Sequence, residues 1–313
     1  MKLIIQIPCY NEESTLPLTF AEFPKIIEGI DKIETQIIDD GSTDLTSKVA
    51  KEIGVDHIIK LNKNKGLGFA FKIGAENAIK HGADVLVNTD GDNQYKGSYI
   101  KNLVKPIIEN QADLVIGCRS IKDHQEFSFI KKLLQIVGSF VVRKLSKTKI
   151  KDTSSGFRAY SQEALFNLNI HSNYSYCLES LIQLGLKNLK VVGVDIQVNK
   201  KTRHSRLFSN IFEYIFKQVK IIINVFLVYR SNLIFNFLAL ISFLSSVLLL
   251  FRYLFHTFYN SAPSEAFWPS LVFAISIFSL SVILYFFGII ASLSITNRIL
   301  LEEILYISKK NIN

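Results

Sequence analysis

Cysteine and histidine are too sparse in this sequence to form an evident metal or redox centre. The three cysteines, Cys9, Cys118 and Cys177, are far apart and match the spacing of neither a zinc site nor a redox pair. The six histidines are scattered along the chain, so the sequence predicts no histidine metal site. We therefore expect the cysteines to be reduced and to serve as small packed side chains.

The sequence also lacks the fingerprints of two common classes of protein. Gly66 and Gly68 follow a predicted strand, but they do not form the G-x-G-x-x-G pattern, so a nicotinamide-dependent enzyme is not supported. The chain is basic, with a formal net charge of +9, yet it contains no nucleic-acid recognition motif. We therefore expect no nucleic-acid partner.

Charged residues are absent from two apolar stretches late in the chain. Residues 231–251 and 268–292 contain no Asp, Glu, Lys or Arg, and each stretch is long enough to span a bilayer. They predict two transmembrane helices joined by a short external loop. Lysine and arginine are denser before residue 230 and after residue 297 than in that loop. The positive-inside rule therefore predicts that both termini are cytoplasmic.

No secretion signal is visible ahead of the first predicted strand. The apolar segment 3–7 is too short for the hydrophobic region of a signal peptide, and it runs directly into Pro8. We therefore expect the part of the chain before the membrane helices to stay in the cytoplasm. The predicted location is the inner (cytoplasmic) membrane, as a multi-pass protein.

Residues 207–230 have the periodicity of an amphipathic helix. The apolar stripe consists of Phe208, Ile211, Phe212, Ile215, Val219, Ile222, Ile223 and Phe226. Glu213, Lys217 and Lys220 fall off this stripe. The pattern predicts a helix that lies on a membrane surface, and the alternative is a helix packed against the soluble domain.

The first two hundred residues have the patterning of a soluble α/β domain. Short apolar runs predict strands at residues 3–7, 35–38, 57–61, 83–87, 113–117 and 191–198. Helical patterns lie between strands at residues 99–108, 126–146 and 178–186, and a polar loop at 151–160 is predicted to enter another short strand. This alternation predicts βαβ units and a mostly parallel sheet. Since polar loops follow the strands, we expect them to meet at one edge, as in a nucleotide site.

The loop at residues 88–94 is the most informative of these. Asp90 and Asp92 are separated by a single glycine and follow a predicted strand, so their carboxylates can converge on one hard cation. Magnesium and manganese take oxygen ligands and usually share them with substrate phosphates. The alternative interpretation is an acidic turn that caps the next helix.

Two further loops carry groups suited to a ligand. Asp39 and Asp40 are adjacent and precede a glycine, which is more than helix capping requires. Gly66 and Gly68 permit close approach of the backbone to a ligand, and Lys65 supplies positive charge. A basic run at residues 200–206, just before the apolar region, suits an anionic membrane surface or a phosphate-bearing substrate.

Five segments resemble, in order, the motifs of family 2 glycosyltransferases. They are residues 8–12 (Pro-Cys-Tyr-Asn-Glu), 39–44 (Asp-Asp-Gly-Ser-Thr-Asp), 65–68 (Lys-Gly-Leu-Gly), 90–94 (Asp-Gly-Asp-Asn-Gln) and 155–158 (Ser-Gly-Phe-Arg). The resemblance is strongest to the polyprenyl-phosphate branch, which includes dolichyl-phosphate mannose synthase and undecaprenyl-phosphate glycosyltransferases. It implies a GT-A fold, which is a Rossmann-like nucleotide-sugar domain with a mostly parallel sheet.

The resemblance also implies roles for individual residues. The nucleotide would be held by Pro8, Tyr10, Glu12, Asp39, Asp40, Lys65, Gly66, Asp90 and Arg119. The metal, Mg²⁺ or Mn²⁺, would be held on the diphosphate by Asp90, Asp92 and Gln94. The acceptor phosphate would be bound by Arg158, Lys200, Arg203 and Arg206. The family usually has a glycine in this basic run, and here the glycine is missing.

The implied reaction is inverting transfer of a sugar from a nucleotide sugar, with a UDP-sugar expected, to a polyprenyl phosphate such as undecaprenyl phosphate. The acceptor phosphate is already anionic, so it needs no strong general base. A sugar hydroxyl of a lipid-linked or cell-surface glycan, the alternative acceptor, would require a carboxylate base. The candidate bases are Asp152 and Glu179, each of which could equally be a cap or salt-bridge residue. Together with Asp92 and Arg158 they form the predicted catalytic set.

These predictions divide the chain into four parts. A cytoplasmic glycosyltransferase domain covers residues 1–206, and amphipathic interfacial helices cover 207–230. Two transmembrane helices with their short loop cover 231–292, and a cytoplasmic tail covers 293–313. The non-enzyme alternative is a catalytically silent membrane scaffold. The sequence leaves the number of subunits open, and a homo-oligomer is one option.

Overall fold

The structure, a computed structural model, describes residues 1–119, 139–140, 142–144, 146–173, 175–199, 211–259 and 267–312. The chain divides into two compact units, which we describe separately. The first consists of Met1–Ile223 together with Ile304–Asn313, and the second is Asn224–Glu303.

A seven-stranded sheet forms the centre of the first unit. Its strands are β1 (Lys2–Cys9), β2 (Lys32–Asp39), β3 (His57–Lys60), β4 (Val85–Asn88), β5 (Leu114–Arg119), β6 (Arg158–Ser161) and β7 (Val191–Ile196). Their order across the sheet is β3-β2-β1-β4-β6-β5-β7. Neighbouring strands are parallel except at β6, which is antiparallel to both β4 and β5. The predicted α/β class with a mostly parallel sheet is therefore confirmed.

The central strands are apolar because both of their faces are covered. In β1, the side chains of Leu3, Ile4, Ile5 and Ile7 are all fully buried. A strand at the edge of a sheet, or one with a solvated face, would alternate apolar and polar residues instead. This continuous burial explains why a short apolar run was sufficient to predict β1 from the sequence.

Helices pack on both faces of the sheet. Those described in the first unit are α1 (Leu16–Ala21), α2 (Thr46–Glu52), α3 (Leu67–Lys80), α4 (Ile100–Ile108), α5 (Gln162–Asn167) and α6 (Cys177–Leu186). The helices predicted at 99–108 and 178–186 are present as α4 and α6. The helix predicted at 126–146 lies mostly outside the described residues, and the described part, 139–140, 142–144 and 146, is helical.

Two different packing solutions bring α4 and α3 onto the sheet. In α4, Ile100, Leu103, Val104 and Ile107 form one apolar face that joins the core cluster containing strands β1 and β4. In α3, Gly74 permits a closer approach, since a Cβ atom there would lie 2.6 Å from Cδ1 of Ile38. Large apolar side chains therefore fill the interface between α4 and the sheet, whereas a glycine lets α3 pack closely against it.

A row of buried polar side chains crosses three neighbouring strands of the sheet. Gln36 donates a hydrogen bond of 2.8 Å to Gln6, which donates one of 3.0 Å to Asn88. Asn88 in turn donates to the hydroxyl oxygen of Tyr176, at 2.6 Å, and to the carbonyl oxygen of Gly156, at 3.1 Å. Since buried polar groups are costly unless they are paired, this row fixes the relative positions of three strands and of the segment around Gly156.

The three cysteines are buried and free. Burial raises the pKa of the thiols of Cys9, Cys118 and Cys177. A buried thiol with a raised pKa is a poor nucleophile and a poor metal ligand, so these side chains act as small packed groups. The prediction from their spacing is confirmed.

Two long helices, α7 (Ile211–Phe258) and α8 (Trp268–Ile312), follow the sheet domain. The segments Ser231–Phe258 and Trp268–Asn311 are long and apolar enough to cross a membrane. Many of their large apolar side chains are exposed, including Leu248, Phe237 and Val272. Contiguous exposed apolar surface of this kind is unfavourable in water and is typical of a lipid-facing helix.

Within the second unit, α7 and α8 contact each other through a polar residue and a glycine. Gly288 is buried, and a Cβ atom there would lie 2.1 Å from Oδ1 of Asn236. Beside this contact, the rings of Phe235 and Phe287, which directly precede Asn236 and Gly288 in the chain, have centroids 5.9 Å apart. Small and polar residues at a contact between apolar helices allow their backbones to approach closely.

The helices do not break where the predicted segments of the chain end. Helix α7 continues through residue 230, and α8 continues through residue 292 to Ile312. In the first unit, the end of α8 contacts α5, since Tyr306 donates a hydrogen bond of 3.0 Å to Glu163. Residue 206 lies outside the described residues, and the predicted division of the chain at residues 206, 230 and 292 stays a prediction.

Candidate active site

The polar loops meet at the edge formed by the carboxyl ends of the parallel strands. Cys9 ends β1, Asp39 ends β2, and these two residues are register partners. Asn88 ends β4 beside Arg158 of β6, and Arg119 ends β5. The loops that the sequence singled out therefore follow neighbouring strands at the same edge. This is the edge at which ligands bind in open α/β sheets.

Asp40 is held by the glycine loop, which we define as residues 65–68. Its two carboxylate oxygens accept hydrogen bonds from the backbone N–H groups of Lys65 and Gly66, each at 2.8 Å. Burial raises the pKa of Asp40, and the two N–H donors offset only part of that effect. The structure therefore joins two loops that the sequence could only predict separately.

Asp39 has a different environment from Asp40. Its side chain is fully buried, and it accepts hydrogen bonds from the backbone N–H of Ser42, at 2.8 Å, and from the hydroxyl of Ser47. These bonds hold the loop after β2 and the start of α2 from beneath. Direct contact between the Asp39 carboxylate and a nucleotide, which was predicted, is not supported.

The loop after β1 joins the loop after β2 through Asn11. Its backbone N–H donates to Oγ of Ser42, at 2.9 Å, and its side-chain oxygen accepts from the backbone of Thr43, at 2.9 Å. Asn11 has a positive φ of 56°, a conformation that asparagine tolerates better than most residues. On either side of it, Tyr10 is 38% exposed and Glu12 is buried, with Thr15 donating to its carboxylate at 2.7 Å.

The carboxylate of Asp90 lies against the backbone of Gly156. A Cβ atom on Gly156 would be 3.1 Å from Oδ1 and 3.3 Å from Oδ2 of Asp90. Further along the loop, Asp92 accepts a hydrogen bond of 3.2 Å from the backbone N–H of Gln94. The segment 155–158 therefore lies directly beside the loop at residues 88–94, which we call the acidic loop. Gly156 leaves space there for the Asp90 carboxylate.

Arg119 and Asp152 form a two-bond ion pair beside this loop. Nε of Arg119 donates to Oδ2 of Asp152 at 2.6 Å, and Nη2 donates to Oδ1 at 3.1 Å. Burial raises the pKa of Asp152, but the charge and hydrogen bonds of Arg119 outweigh burial and lower it below the ordinary value. Burial lowers the pKa of Arg119, but its interactions with Tyr95, Asp152 and, more weakly, Asp90 outweigh burial and raise it above the ordinary value. Asp152 is thus ionised and committed to Arg119.

Arg158 does not lie where an acceptor phosphate could reach it. Its guanidinium is fully buried and donates to the carbonyl oxygens of Ser155, at 2.7 Å, Thr153, at 2.9 Å, and Cys177, at 2.7 Å. The prediction that Arg158 contacts the acceptor phosphate and acts as a catalytic residue is therefore wrong. Its bonds instead hold the 153–155 loop and the start of α6 in place.

Glu179 is likewise engaged by the protein itself. Its side chain is 5% exposed and accepts hydrogen bonds from the backbone N–H groups of His171, at 3.1 Å, and Ser172, at 2.9 Å. Gln183 also donates to it, at 3.2 Å. This environment argues against the predicted role of Glu179 as a general base. The remaining predicted acceptor residues, Lys200, Arg203 and Arg206, lie outside the described residues.

The order of motifs, the fold and the site all agree with one family model. The model of glycosyl transferase family 2 matches residues 4–167, which is more than half of the chain. The chain belongs to glycosyl transferase family 2. It is therefore a glycosyltransferase, as the motifs predicted.

Curated relatives of this glycosyltransferase lie in the predicted branch of the family. The UDP-N-acetylglucosamine–dolichyl-phosphate N-acetylglucosaminyltransferase of Methanococcus voltae is 32% identical over 61% of this chain and 83% of that protein. The dolichol-phosphate mannosyltransferase of Pyrococcus furiosus is 31% identical, over 69% of this chain and 62% of that protein. The undecaprenyl-phosphate mannosyltransferase of Micrococcus luteus is 25% identical over 67% of this chain and 89% of that protein. The predicted resemblance to the polyprenyl-phosphate branch is confirmed.

Solved structures agree with the fold of the glycosyltransferase domain. Glucosyl-3-phosphoglycerate synthase from Mycobacterium tuberculosis, in complex with Mn²⁺, UDP and glucosyl-3-phosphoglycerate, superposes with a TM-score of 0.56 at 17% identity. The match covers 72% of this chain and 78% of that chain. At this level of identity the likeness establishes the GT-A-like fold.

The acidic loop of this glycosyltransferase has donor atoms that fit a hard divalent cation. Asp90 and Asp92 carry carboxylate oxygens, and Oδ1 of Asn93 is buried without a hydrogen-bond partner in the part of the chain that the structure describes. A buried acceptor without a partner is costly unless a ligand satisfies it. Among the described residues, no group of three or more His, Cys, Asp and Glu side chains could hold a metal ion by itself. A cation at this loop would therefore share its ligands with a bound phosphate, as Mg²⁺ commonly does.

Sequence reasoning missed three residues that shape the site of the glycosyltransferase. Asn11 and Asn93 lie inside quoted motifs, and both have a positive φ of 56°. Tyr95 is buried, accepts a hydrogen bond of 3.2 Å from the N–H of Gly156, and stacks on Phe157 at 5.1 Å. Burial raises the pKa of Tyr95 to about 12, so it remains a neutral donor and acceptor. The sequence shows two asparagines and a tyrosine at these positions, but it does not show their backbone conformations or the groups that they contact.

Proposed function

We propose that this glycosyltransferase moves a sugar from a nucleotide sugar, with a UDP-sugar expected, to a polyprenyl phosphate at the cytoplasmic face of a membrane. The observation that carries the acceptor assignment is the engagement of both candidate bases. Asp152 is paired with Arg119, and Glu179 holds backbone N–H groups. An anionic phosphate needs no base to attack, whereas a sugar hydroxyl does.

The donor is proposed to bind across the loops at the carboxyl edge. Asp40 and the glycine loop would take the nucleoside, together with Pro8, Tyr10 and Glu12. Asp90, Asp92 and Gln94 would hold Mg²⁺ or Mn²⁺ on the diphosphate. A bound cation of this kind neutralises negative charge on the departing nucleoside diphosphate.

Arg119 is proposed to contribute fixed positive charge beside the diphosphate. Its guanidinium lies in the plane and orientation set by Asp152 and by Ser154, which accepts from Nη2 at 3.1 Å. Because Asp152 stays ionised, Arg119 keeps one position through the reaction and does not have to reorganise as charge develops. Asp152 is therefore a positioning residue in this scheme and not a base.

The acceptor side is proposed to be formed by the basic run and the membrane. Lys200, Arg203 and Arg206 remain the predicted ligands of the acceptor phosphate, and they precede the helix that leads into the two apolar segments. The acceptor phosphate oxygen would attack the anomeric carbon from the side opposite the leaving diphosphate. An α-linked donor would then give a β-linked lipid product. The positive-inside pattern favours cytoplasmic termini and a multi-pass arrangement in the inner membrane.

The proposal is tested with the full-length protein in vesicles that contain undecaprenyl phosphate. A panel of UDP- and GDP-sugars with labelled sugar would be supplied with Mg²⁺, with Mn²⁺ or with chelator, and labelled lipid would be counted. We expect one donor to label lipid in a metal-dependent way. We also expect the Asp92→Ala variant to lose about a hundredfold or more of this activity.

Other outcomes point to the alternative functions. Metal-dependent donor binding without labelled lipid would favour a glycan hydroxyl as the acceptor. Neither donor binding nor labelling would favour the catalytically silent scaffold. Full activity of the Asp92→Ala variant would contradict the proposed metal site, and an α-linked product in the NMR spectrum would contradict inversion.

A further inference from the structure

Helix α6 carries two side chains that form hydrogen bonds with the backbone of the preceding loop. Glu179 accepts hydrogen bonds from the N–H groups of His171 and Ser172. One turn later, Gln183 donates to the carbonyl oxygen of Asn169, at 2.6 Å, and accepts from its N–H, at 3.0 Å. Residues four apart lie on the same face of a helix, so Glu179 and Gln183 fix the loop at two successive points.

This loop, residues 169–173, is in direct contact with the glycine loop. The carbonyl oxygen of Asn173 accepts a hydrogen bond of 2.9 Å from the N–H of Gly68. A Cβ atom on Gly66 would lie 2.3 Å from the same oxygen, and one on Gly68 would lie 2.0 Å from the carbonyl oxygen of Ser172. The two backbones are therefore in contact at a distance that only glycine permits.

The glycine loop in turn holds Asp40 through the N–H groups of Lys65 and Gly66. Gly66 also has a positive φ of 97°, a conformation that glycine adopts more readily than other residues. A continuous series of polar contacts thus leads from Glu179, through residues 171–173 and the glycine loop, to Asp40.

The helix that carries Glu179 is itself fixed. Nη1 of Arg158 donates to the carbonyl oxygen of Cys177, at 2.7 Å, and to the hydroxyl of Ser180, at 2.9 Å. Both acceptors lie in the first turn of α6, on either side of Glu179. Since Arg158 is the first residue of β6 and its side chain is fully buried, these bonds tie the first turn of α6 to the sheet.

We propose that Glu179 is a positioning residue for the nucleotide, which acts by holding residues 171–173 against the glycine loop around Asp40. The inference rests on the proposed function, because it takes the nucleoside to bind at Asp40. Removal of the Glu179 carboxylate leaves two N–H groups without their acceptor. The loop then shifts, and the glycine loop and Asp40 lose the surface that fixes them.

The test compares variants of the full-length protein by nucleotide affinity and by turnover. Glu179→Ala removes both acceptor oxygens, and Glu179→Gln retains one. The matched control is Glu34→Gln, which removes another buried carboxylate far along β2 from the site, where it is bound by Lys2 and Lys32. Binding of UDP and of GDP with Mn²⁺ would be measured by calorimetry, together with the KM for donor and for lipid phosphate.

We expect the Glu179→Ala variant to bind the preferred nucleoside diphosphate about tenfold more weakly, because two hydrogen bonds that order the loop are lost. Glu179→Gln should fall between this variant and the wild type. The KM for lipid phosphate should be unchanged in both variants, and so should the shape of the pH–rate profile. Glu34→Gln should retain the wild-type nucleotide affinity even if its thermal stability falls.

A second measurement needs no ligand. Amide hydrogen exchange of the free protein should speed up in peptides covering the glycine loop and residues 169–173 of the Glu179→Ala variant. Peptides of β1 and β4 should be unaffected, and Glu34→Gln should leave the glycine loop protected. Such a pattern would separate a local effect on the nucleotide site from a general loss of stability.

Three results would overturn the proposal. One is a Glu179→Ala variant with wild-type nucleotide affinity and glycine-loop exchange. A second is a fall in turnover with loss of the basic limb of the pH–rate profile, which would make Glu179 a base. A third is a wild-type protein that binds neither nucleotide. A wild type that binds nucleotide but labels no lipid would overturn the proposed acceptor alone and leave this inference standing.

Discussion

The carboxylate of Asp90 lies against Gly156, with both of its oxygens within 3.3 Å of the point where a Cβ atom would stand. Asp90 follows β4, and Gly156 precedes β6. These two strands are antiparallel neighbours, with Asn88 opposite Arg158. The acidic loop and the Ser-Gly-Phe-Arg segment are therefore two sides of one site, and a glycine makes room for the carboxylate.

Substitution of Gly156 should displace the Asp90 carboxylate. We expect Gly156→Val to raise the metal concentration needed for half-maximal activity about tenfold, which is the usual cost of disturbing the support of a metal ligand. Gly156→Ala should have a smaller effect in the same direction, because a single methyl group can be accommodated by a shift of a few tenths of an ångström. The measurement is a titration of activity with Mn²⁺. Equal metal response in all three proteins would contradict the role of Gly156.

Asp152→Asn should lower stability and activity without altering which groups titrate. The variant leaves the Arg119 guanidinium without its charged partner, and breaking a buried ion pair costs about 3–5 kcal/mol. Because the pKa of Asp152 is lowered, the wild-type carboxylate is ionised throughout the neutral range and does not control the rate there. The check is a thermal unfolding curve together with pH–rate profiles from pH ~5 to ~8. Loss of a basic limb in the variant would mean that Asp152 is a base.

Glu34 should make stability depend on pH in the acidic range. Burial raises its pKa, but hydrogen bonds from Lys2, Lys32 and His57 outweigh burial and lower the pKa from 4.5 to about 2. A carboxylate with a lowered pKa stabilises the fold above its unfolded pKa, and this contribution is lost as the pH falls towards 2.

The Glu34→Gln variant isolates this contribution. At neutral pH it should be less stable than the wild type by about 3 kcal/mol, which follows from the difference in pKa between the folded and unfolded states. As the pH falls from 4.5 towards 2, the two unfolding midpoints should converge. A constant difference in midpoint between the two proteins over that range would contradict the assignment.

Gly288→Leu should weaken the contact between α7 and α8 in the second unit. A Cβ atom added at this position would lie only 2.1 Å from Oδ1 of Asn236, so a leucine side chain cannot be accommodated without separating the helices. Overpacking of this kind costs about 1–3 kcal/mol. The thermal midpoint of the full-length protein in detergent should therefore fall. Ser292→Leu, on the exposed face of the same helix, is the control and should leave the midpoint unchanged.

The amino-acid sequence by itself determined the α/β class, the position of the strands and the two apolar helices. Each of these depends on local periodicity: continuous apolar runs in doubly covered strands such as β1, and charge-free stretches long enough for a bilayer. The order of the ligand-bearing loops was also readable, because parallel strands carry their carboxyl ends to one edge.

Only the tertiary structure decided what individual charged side chains do. Asp152 pairs with Arg119 across 33 positions of sequence, and Arg158 turns into the core because β6 inserts antiparallel between β4 and β5. Glu179 accepts hydrogen bonds from the backbone N–H groups of His171 and Ser172 in the preceding loop. A carboxylate or guanidinium acquires its role from its burial and its partner, and neither is encoded in the few residues around it.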